Sequence, residues 1–436
     1  MENNVSLADR HKSVMPSWMN LYYDEPLEIV SGKGLRVQGG DGREYLDFFG
    51  GLLGTMVGHS IPEITEAIQV QVGRVLHNST LYLIRAQVEL AEKIARLSKI
   101  DDAKVFFVNS GTEAVETALL LATTMRRSNQ VLALRGGYHG RSFGTVATTG
   151  IRGWSATSLS PLQVSYVHNG YRYRSPFGDL SDTDFIRACT DELRTIIETS
   201  TSGDVAAMLA EPIQGAGGFS EPPVGFFTAM KEVLDQYGIP FISDEVQSGW
   251  GRTGKSFFGI HAHGVNPDVM TFAKGLGNGM SIGGVVASAP MMDCLTANSI
   301  STAGGNPVAM TAGNATLDYV LNHDLQRNAD VIGRRLMDGL RSGFADSSVV
   351  GEIRGSGLMI GVELVTPGSK DPDVATTLKI MEEARAAGLL VGRGGLYGNV
   401  LRVTPPMTVT AEEADAAIEI LLSVVSRQDS AALQLQ

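Results

Sequence analysis

The sequence has few cysteines. Its 436 residues include two, Cys189 and Cys294, too few and too far apart for a disulfide framework or a zinc site. Such usage fits a reducing compartment, and both thiols are expected to be small buried apolar side chains. Long apolar runs are missing. No uncharged stretch approaches the roughly 18 residues that span a bilayer, and the opening MENNVSLADRHKS has no apolar centre of a secretion signal. These absences predict a soluble cytoplasmic protein with no membrane partner. Positive charge is in deficit: 35 Lys and Arg against 47 Asp and Glu leave a net charge of −12. An acidic surface repels phosphate backbones, which argues against nucleic acid as a partner. No internal repeat and no low-complexity linker is present.

Hydrophobic residues make up 43% of the chain and charged residues 19%, so it folds as an ordinary globular protein. Proline numbers 16 against 51 glycines, which favours tight turns and close backbone approaches. At roughly 150 residues per domain, the length suggests two or three domains. The segment from Lys104 to about residue 290 alternates short apolar runs with helical patterns. The runs are Lys104–Asn109, Val131–Arg135, Ala206–Ala210, Pro240–Ser243, Val269–Ala273 and Val285–Ala289. Gly111–Arg126 and Gly225–Tyr237 carry helical spacing. That alternation predicts βαβ units and an α/β fold with a mostly parallel central sheet. Residues 310–436 read as a smaller α+β domain: a long helical pattern through Leu340, short apolar runs at Gly355–Val365, Leu389–Val391 and Val400–Val403, then a helix at Ala411–Val425. The polar tail from Arg427 to Gln436 is expected to fray. The expected division is an N-terminal segment (1–60) packing with the small domain, a large domain (61–309) and the small domain (310–436).

In parallel sheets ligands sit beyond the carboxyl ends of the strands, and polar residues gather just after these runs. Asn109-Ser110-Gly111-Thr112-Glu113 ends a strand and opens a helix, whose first amides and positive dipole end suit a phosphate; alone, it is a plain helix cap. Phe272-Ala273-Lys274-Gly275 puts a lysine at a strand end among glycines. Desolvation there lowers an amine's pKa and makes it nucleophilic, although a lone turn lysine is commonplace. Ile242-Ser243-Asp244-Glu245 ends a strand in an acid able to bind a buried cation or merely to cap the next element. Gly137-Tyr138-His139-Gly140-Arg141 offers an aromatic to stack on a flat cofactor and an arginine to grip a carboxylate; His139 there is more often structural than catalytic. Glu211 stands at another strand end. Each motif is weak alone. Together they place phosphate donors, a stacking ring, a ring-nitrogen acid and a nucleophilic lysine on one sheet edge, which are the requirements of pyridoxal 5′-phosphate.

From about Leu21 to Val425 the chain resembles the class III aminotransferases, fold-type-I enzymes dependent on pyridoxal 5′-phosphate. The pieces are NSGTEA, YHGR, AEPIQG, SDEVQSGWGRTG, TFAKGLGNG, STAGGNP and LRVTPP. LYYDEP, YLDFFGGL and GLLVGRGG are most similar to the alanine–glyoxylate or 3-aminoisobutyrate–pyruvate group. The resemblance implies that Lys274 forms the Schiff base and moves the Cα proton, while Asp244 keeps the pyridine ring protonated. Tyr138 and Val246 would cover the two ring faces, with His139 beside the cofactor. Gln247 would bond the phenolic oxygen. Ser110, Gly111 and Thr112 would bind the phosphate, and Thr302 would reach the phosphate of a neighbouring subunit. A homodimer with shared sites, or a tetramer built from it, follows. The class usually has an aromatic after that threonine; here it is Ala303, which implies a wider mouth. Arg402 resembles the arginine that grips an α-carboxylate, paired with Glu211 when no substrate is present. Arg141 resembles the arginine that holds the distal carboxylate of ω-amino acids, and Tyr22 would edge the substrate pocket. Phe48-Phe49-Gly50-Gly51 would line the partner's mouth or belong to the core. The loop 169–183 is expected to be exposed. The implied activity is ping-pong transamination from an ω-amino acid (β-alanine, 3-aminoisobutyrate or GABA) or L-alanine to pyruvate, glyoxylate or 2-oxoglutarate. A racemase, aminomutase or phospho-lyase on the same scaffold is the alternative.

Overall fold

The computed structural model describes residues 5–433. The chain first forms β1 (Ile29–Lys33), β2 (Arg36–Gly39) and β3 (Glu44–Asp47), an antiparallel meander. The stretch Ile29–Asp47 is therefore two hairpins. Gly34 (φ 59°) and Gly42 (φ 81°) make their turns in the left-handed region that glycine enters without steric cost.

A seven-stranded sheet follows: β4 (Ala103–Val108), β5 (Gln130–Leu134), β6 (Gln163–Val167), β7 (Ala207–Ala210), β8 (Phe241–Asp244), β9 (Val269–Phe272) and β10 (Gly283–Ser288). Its order is β4-β10-β9-β8-β7-β5-β6. The pairs β5–β6, β5–β7, β7–β8 and β8–β9 are parallel, while β10 runs antiparallel to both its neighbours. This is the expected α/β architecture. β6 was not foreseen, because Gln163–Val167 mixes polar and apolar residues and is only partly covered. Successive side chains of a strand face opposite sides, and the two cores show it. Met208 and Ala210 join Phe185, Leu193, Phe226 and Met230 on one side. Ala207 and Leu209 join Ala114, Val115, Ala118 and Leu119 on the other.

The helix Gly111–Arg126 starts where β4 ends. The Ser110 hydroxyl caps it by accepting from the Glu113 amide at 3.2 Å, and the Glu113 carboxylate accepts back from the Asn109 amide at 2.9 Å. The long helical pattern after residue 310 proves to be two helices, Pro307–Asn322 and Leu325–Gly343, divided at Asp324, whose φ of 49° ends one axis and begins another.

A third sheet contains β11 (Val350–Ser356), β12 (Met359–Leu364), β14 (Gly392–Gly394) and β15 (Val400–Val403) in the order β11-β12-β15-β14, all antiparallel. Between them β13 (Leu389–Leu390) leaves to pair in parallel with β3, Leu389 opposite Leu46. The final helix runs from Ala411 to Leu433, beyond the expected Val425. The expected fraying from Arg427 is corrected up to the last described residue. Arg427 and Gln428 both bond the Glu383 carboxylate, and Asp429 accepts from the Ser348 and Val349 amides. Tertiary partners hold this end, so its polar composition does not loosen it; residues 434–436 lie outside the described residues.

The loop 169–183 is exposed as expected only over its second part, 179–183, and not over its first. Gly170 is buried and Tyr171–Ser175 are half-buried. Tyr171 and Arg174 both reach the buried Glu363 carboxylate, at 2.5 Å each, and Arg354 meets the same group. Charges that looked solvated in sequence are consumed by one another. Cys189 is buried, but Cys294 is only half-covered, its thiol directed at the Leu121 carbonyl. Among the described residues, no helix is long and apolar enough to cross a membrane.

Candidate active site

The carboxyl ends of β8 and β9 lie side by side, with Asp244 opposite Thr271. Three residues after Thr271 comes Lys274, so neighbouring strands deliver the acid and the amine to one place. A cavity of about 320 Å³ opens there. Its walls are Asn109–Thr112 after β4, Tyr138–Gly140 after β5, Glu211 after β7, Asp244, Val246 and Gln247 after β8, and Ala273–Lys274 after β9. Ten of the fourteen expected site residues line this one cavity.

Lys274 is half-buried at the cavity wall, and desolvation pushes its amine down to about 8. Arg402 pushes the same way, while the nearby Asp244 and Glu211 carboxylates oppose the shift. Its φ of 41° is a left-handed conformation that a residue with a side chain rarely adopts, and such backbone strain concentrates at functional sites. Asp244 is buried. It accepts from His139 Nδ1 at 2.7 Å, from the Val246 amide at 3.1 Å and from the Thr271 hydroxyl at 3.3 Å. The other imidazole nitrogen of His139 is buried and without a partner. Glu211 accepts from the Tyr138 and Gly215 amides, both at 2.8 Å. Burial and the nearby Asp244 raise its carboxyl to about 7, against the pull of His139 and those two amides.

The residues present fit pyridoxal 5′-phosphate on three counts. The Gly111 and Thr112 amides form the first turn of a sixteen-residue helix whose positive end faces the cavity. A Cβ on Gly140 would come within 2.7 Å of the Thr112 hydroxyl, and one on Gly111 would press at 3.1 Å on Val246, so the cradle requires glycine at Gly140 and favours it at Gly111. Asp244 offers a buried carboxylate whose partners among the described residues are the His139 ring, the Val246 amide and the Thr271 hydroxyl, with the Lys274 amine nearby.

The remaining expected residues lie elsewhere. Arg402 is buried beside the cavity, and the expected Arg402–Glu211 pair is not formed. Arg402 Nη2 instead donates to Gln247 Oε1 at 2.8 Å, and the Glu211 oxygens accept from the Tyr138 and Gly215 amides. Arg141 is exposed, its guanidinium 5.5 Å from the Trp18 ring centre; it does not line the cavity. Tyr22 packs its ring 5.5 Å from Phe49 and bonds the backbone of Arg393. Phe48 is core, whereas Phe49 is half-buried. Thr302 and Ala303 are exposed and do not line this chain's own cavity. The sequence reading overlooked Gly54, Met280, Ser281 and Ile282, which also line the cavity. The last three directly follow the TFAKGLGNG motif.

Residues 20–425 match the family model "Aminotransferase class-III". The chain belongs to the class-III aminotransferases. It is 39% identical to an alanine–glyoxylate aminotransferase 2 homologue, mitochondrial, of Arabidopsis thaliana, over 96% of this chain and 86% of that one. It is 33% identical to an alanine/serine racemase of Pyrococcus horikoshii, over 95% and 89%. An amine transaminase structure from an uncultivated Pseudomonas species, in its PLP-bound form, superimposes with a TM-score of 0.86 at 30% identity, covering 98% of each chain. The aminotransferase therefore has the fold-type-I architecture, and its cofactor is pyridoxal 5′-phosphate.

Proposed function

We propose that this aminotransferase moves the amino group of L-alanine to a small 2-oxo acid, glyoxylate first, by ping-pong transamination. One observation carries the substrate choice: Arg402 is the buried cation beside the cavity, while Arg141 stacks outward on Trp18. A buried guanidinium asks for a carboxylate beside the reacting carbon, which α-amino and 2-oxo acids carry. The plant relative's name favours the same pair. Among ω-amino acids, β-alanine, 3-aminoisobutyrate and GABA are the second reading. They would need Arg141 to turn inward.

When bound, the cofactor supplies an aldehyde that takes up the amino group and a ring that delocalises charge. The residues supply the rest. Asp244, held by His139, Val246 and Thr271, keeps a positive charge on the ring nitrogen. Lys274, its amine pushed down to about 8, would take the substrate's Cα proton and hand it to the carbon on the far side of the bridging nitrogen. Tyr138 and Val246 confine the ring, Gln247 donates to its phenolic oxygen, and Ser110, Gly111 and Thr112 hold the phosphate. Arg402 fixes the substrate carboxylate, so both half-reactions present the same carbon to Lys274.

The exposed Thr302 supports a homodimer in which it completes the partner's phosphate site. The adjoining surface is apolar: Leu81, Tyr82, Leu83 and Ile300 are exposed, and Gly305 lies against Thr80 and Gln87. Sedimentation equilibrium should return twice the chain mass or a multiple of it, and an active monomer would refute the shared site.

The test is a panel: L-alanine, β-alanine, 3-aminoisobutyrate and GABA, each against pyruvate, glyoxylate and 2-oxoglutarate. The highest kcat/KM is expected for L-alanine with glyoxylate, and no turnover with L-alanine would overturn the assignment. Borohydride should trap the cofactor on Lys274. Because one relative is named a racemase, D-alanine is followed as well. Stoichiometric pyruvate from L-alanine alone, without D-alanine, supports transfer.

A further inference from the structure

Arg402 is held in an unusual way for a buried cation. Its nearest polar partner is a neutral amide, Gln247 Oε1, at 2.8 Å. Its Nε is buried with no partner, and its guanidinium sits 4.6 Å from the Phe219 ring centre. Arginine has only donors, so the Gln247 atom facing it must be the carbonyl oxygen, and the amide orientation is settled by chemistry. The opposite end of that amide lies across Gly215. A Cβ built there would sit 2.1 Å from Gln247 Nε2 and 2.3 Å from Oε1. Gly215 does not have a left-handed φ, so the demand at this position is for space, not for glycine's backbone freedom. Its own N–H is anchored to the Glu211 carboxylate, which prevents it from moving aside. Gly394 makes similar room for the Arg402 stem, since a Cβ there would come within 2.7 Å of Arg402 Cδ.

We propose that Gly215 is a specificity-determining residue: by lacking a side chain it lets Gln247 hold Arg402 through a neutral carbonyl, leaving the guanidinium's charge free for a substrate carboxylate. This rests on the reading of Arg402 as the carboxylate holder. A carboxylate partner would have to be displaced before substrate could bind, whereas an amide orients the fork without neutralising it. The same arrangement disfavours substrates with no carboxylate, which leave a buried cation unpaired. The chain is thereby selective for α-carboxylates in both half-reactions.

The experiment uses cofactor-loaded Gly215→Ala and Gln247→Glu variants, assayed with glyoxylate and with an uncharged aldehyde as acceptor. Gly215→Ala pushes the amide off the guanidinium, and Gln247→Glu places a carboxylate on it. Because both changes also disturb the Gln247 contact to the cofactor, the readout is a difference: at saturating cofactor, with its absorption band retained, KM for glyoxylate should rise about tenfold to a hundredfold more than KM for the aldehyde. Equal losses on both acceptors, or an unchanged glyoxylate KM, would overturn the proposal. Arg402→Leu is the control. If it does not abolish the preference for glyoxylate over the aldehyde, the assignment of Arg402 itself fails. If it does while both other variants behave as wild type, only the role of Gly215 fails.

Discussion

His139 Nδ1 lies 2.7 Å from a carboxylate oxygen of Asp244, and both side chains are shut away from water. The pair joins the loop after β5 to the tip of β8, so the ring-covering loop and the ring-nitrogen acid are one mechanical unit. Asp244→Asn, which cannot hold the ring nitrogen protonated, should lower kcat by about a hundredfold or more. His139→Asn removes only the brace and should cost about tenfold to a hundredfold, as loss of an outer partner of a catalytic group does. Steady-state kinetics with the cofactor saturating would separate the two.

Lys274 titrates near 8 in the folded chain, against 10.5 when unperturbed. Between those values the unfolded chain binds the extra proton, so the stability of the cofactor-free protein should rise with pH from 8 to 10.5. The slope contributed by one group is at most about 1.4 kcal/mol per pH unit. Lys274→Met should remove that rise and stabilise the cofactor-free protein below pH 8. Urea titrations at pH 7.5, 9 and 10.5 would measure both.

Arg141 rests on Trp18 instead of in the cavity. Arg141→Ala should therefore leave KM for glyoxylate and for L-alanine within about twofold, since exposed cation–aromatic contacts are worth about 0.5–1 kcal/mol. A large rise in KM for β-alanine or GABA in this variant would show that the arginine swings inward for longer donors.

Glu363 is the shared carboxylate for two cations, Arg354 and Arg174, and its side chain is 2% exposed. Burial alone would raise its carboxyl, but those two arginines and the Tyr171 hydroxyl outweigh that and hold it below its ordinary value. Removing one partner of a buried ionic cluster strands the others. Glu363→Ala should destabilise the chain by about 3–5 kcal/mol, while Glu363→Gln, which keeps the side-chain volume and one of the two acceptor oxygens, should cost less. Thermal unfolding of the two variants gives the comparison.

What the sequence by itself determined was local. Strand and helix periodicities are short-range, so the apolar runs of β4, β5 and β7–β10 and the helix beginning at Gly111 were legible within a residue or two. Because strand ends in a parallel sheet share one edge, Lys274, Asp244, Tyr138 and Glu211 could be brought together before any coordinates. Tertiary structure decided the partnerships. Two backbone amides claim Glu211, a neutral amide claims Arg402, and Trp18 claims Arg141. Likewise β3 pairs with a two-residue strand far along the chain, and Glu363 draws the polar 169–183 loop inward. A polar side chain has several partners within reach in principle. Which one it meets depends on packing between segments remote in sequence, which no local pattern encodes.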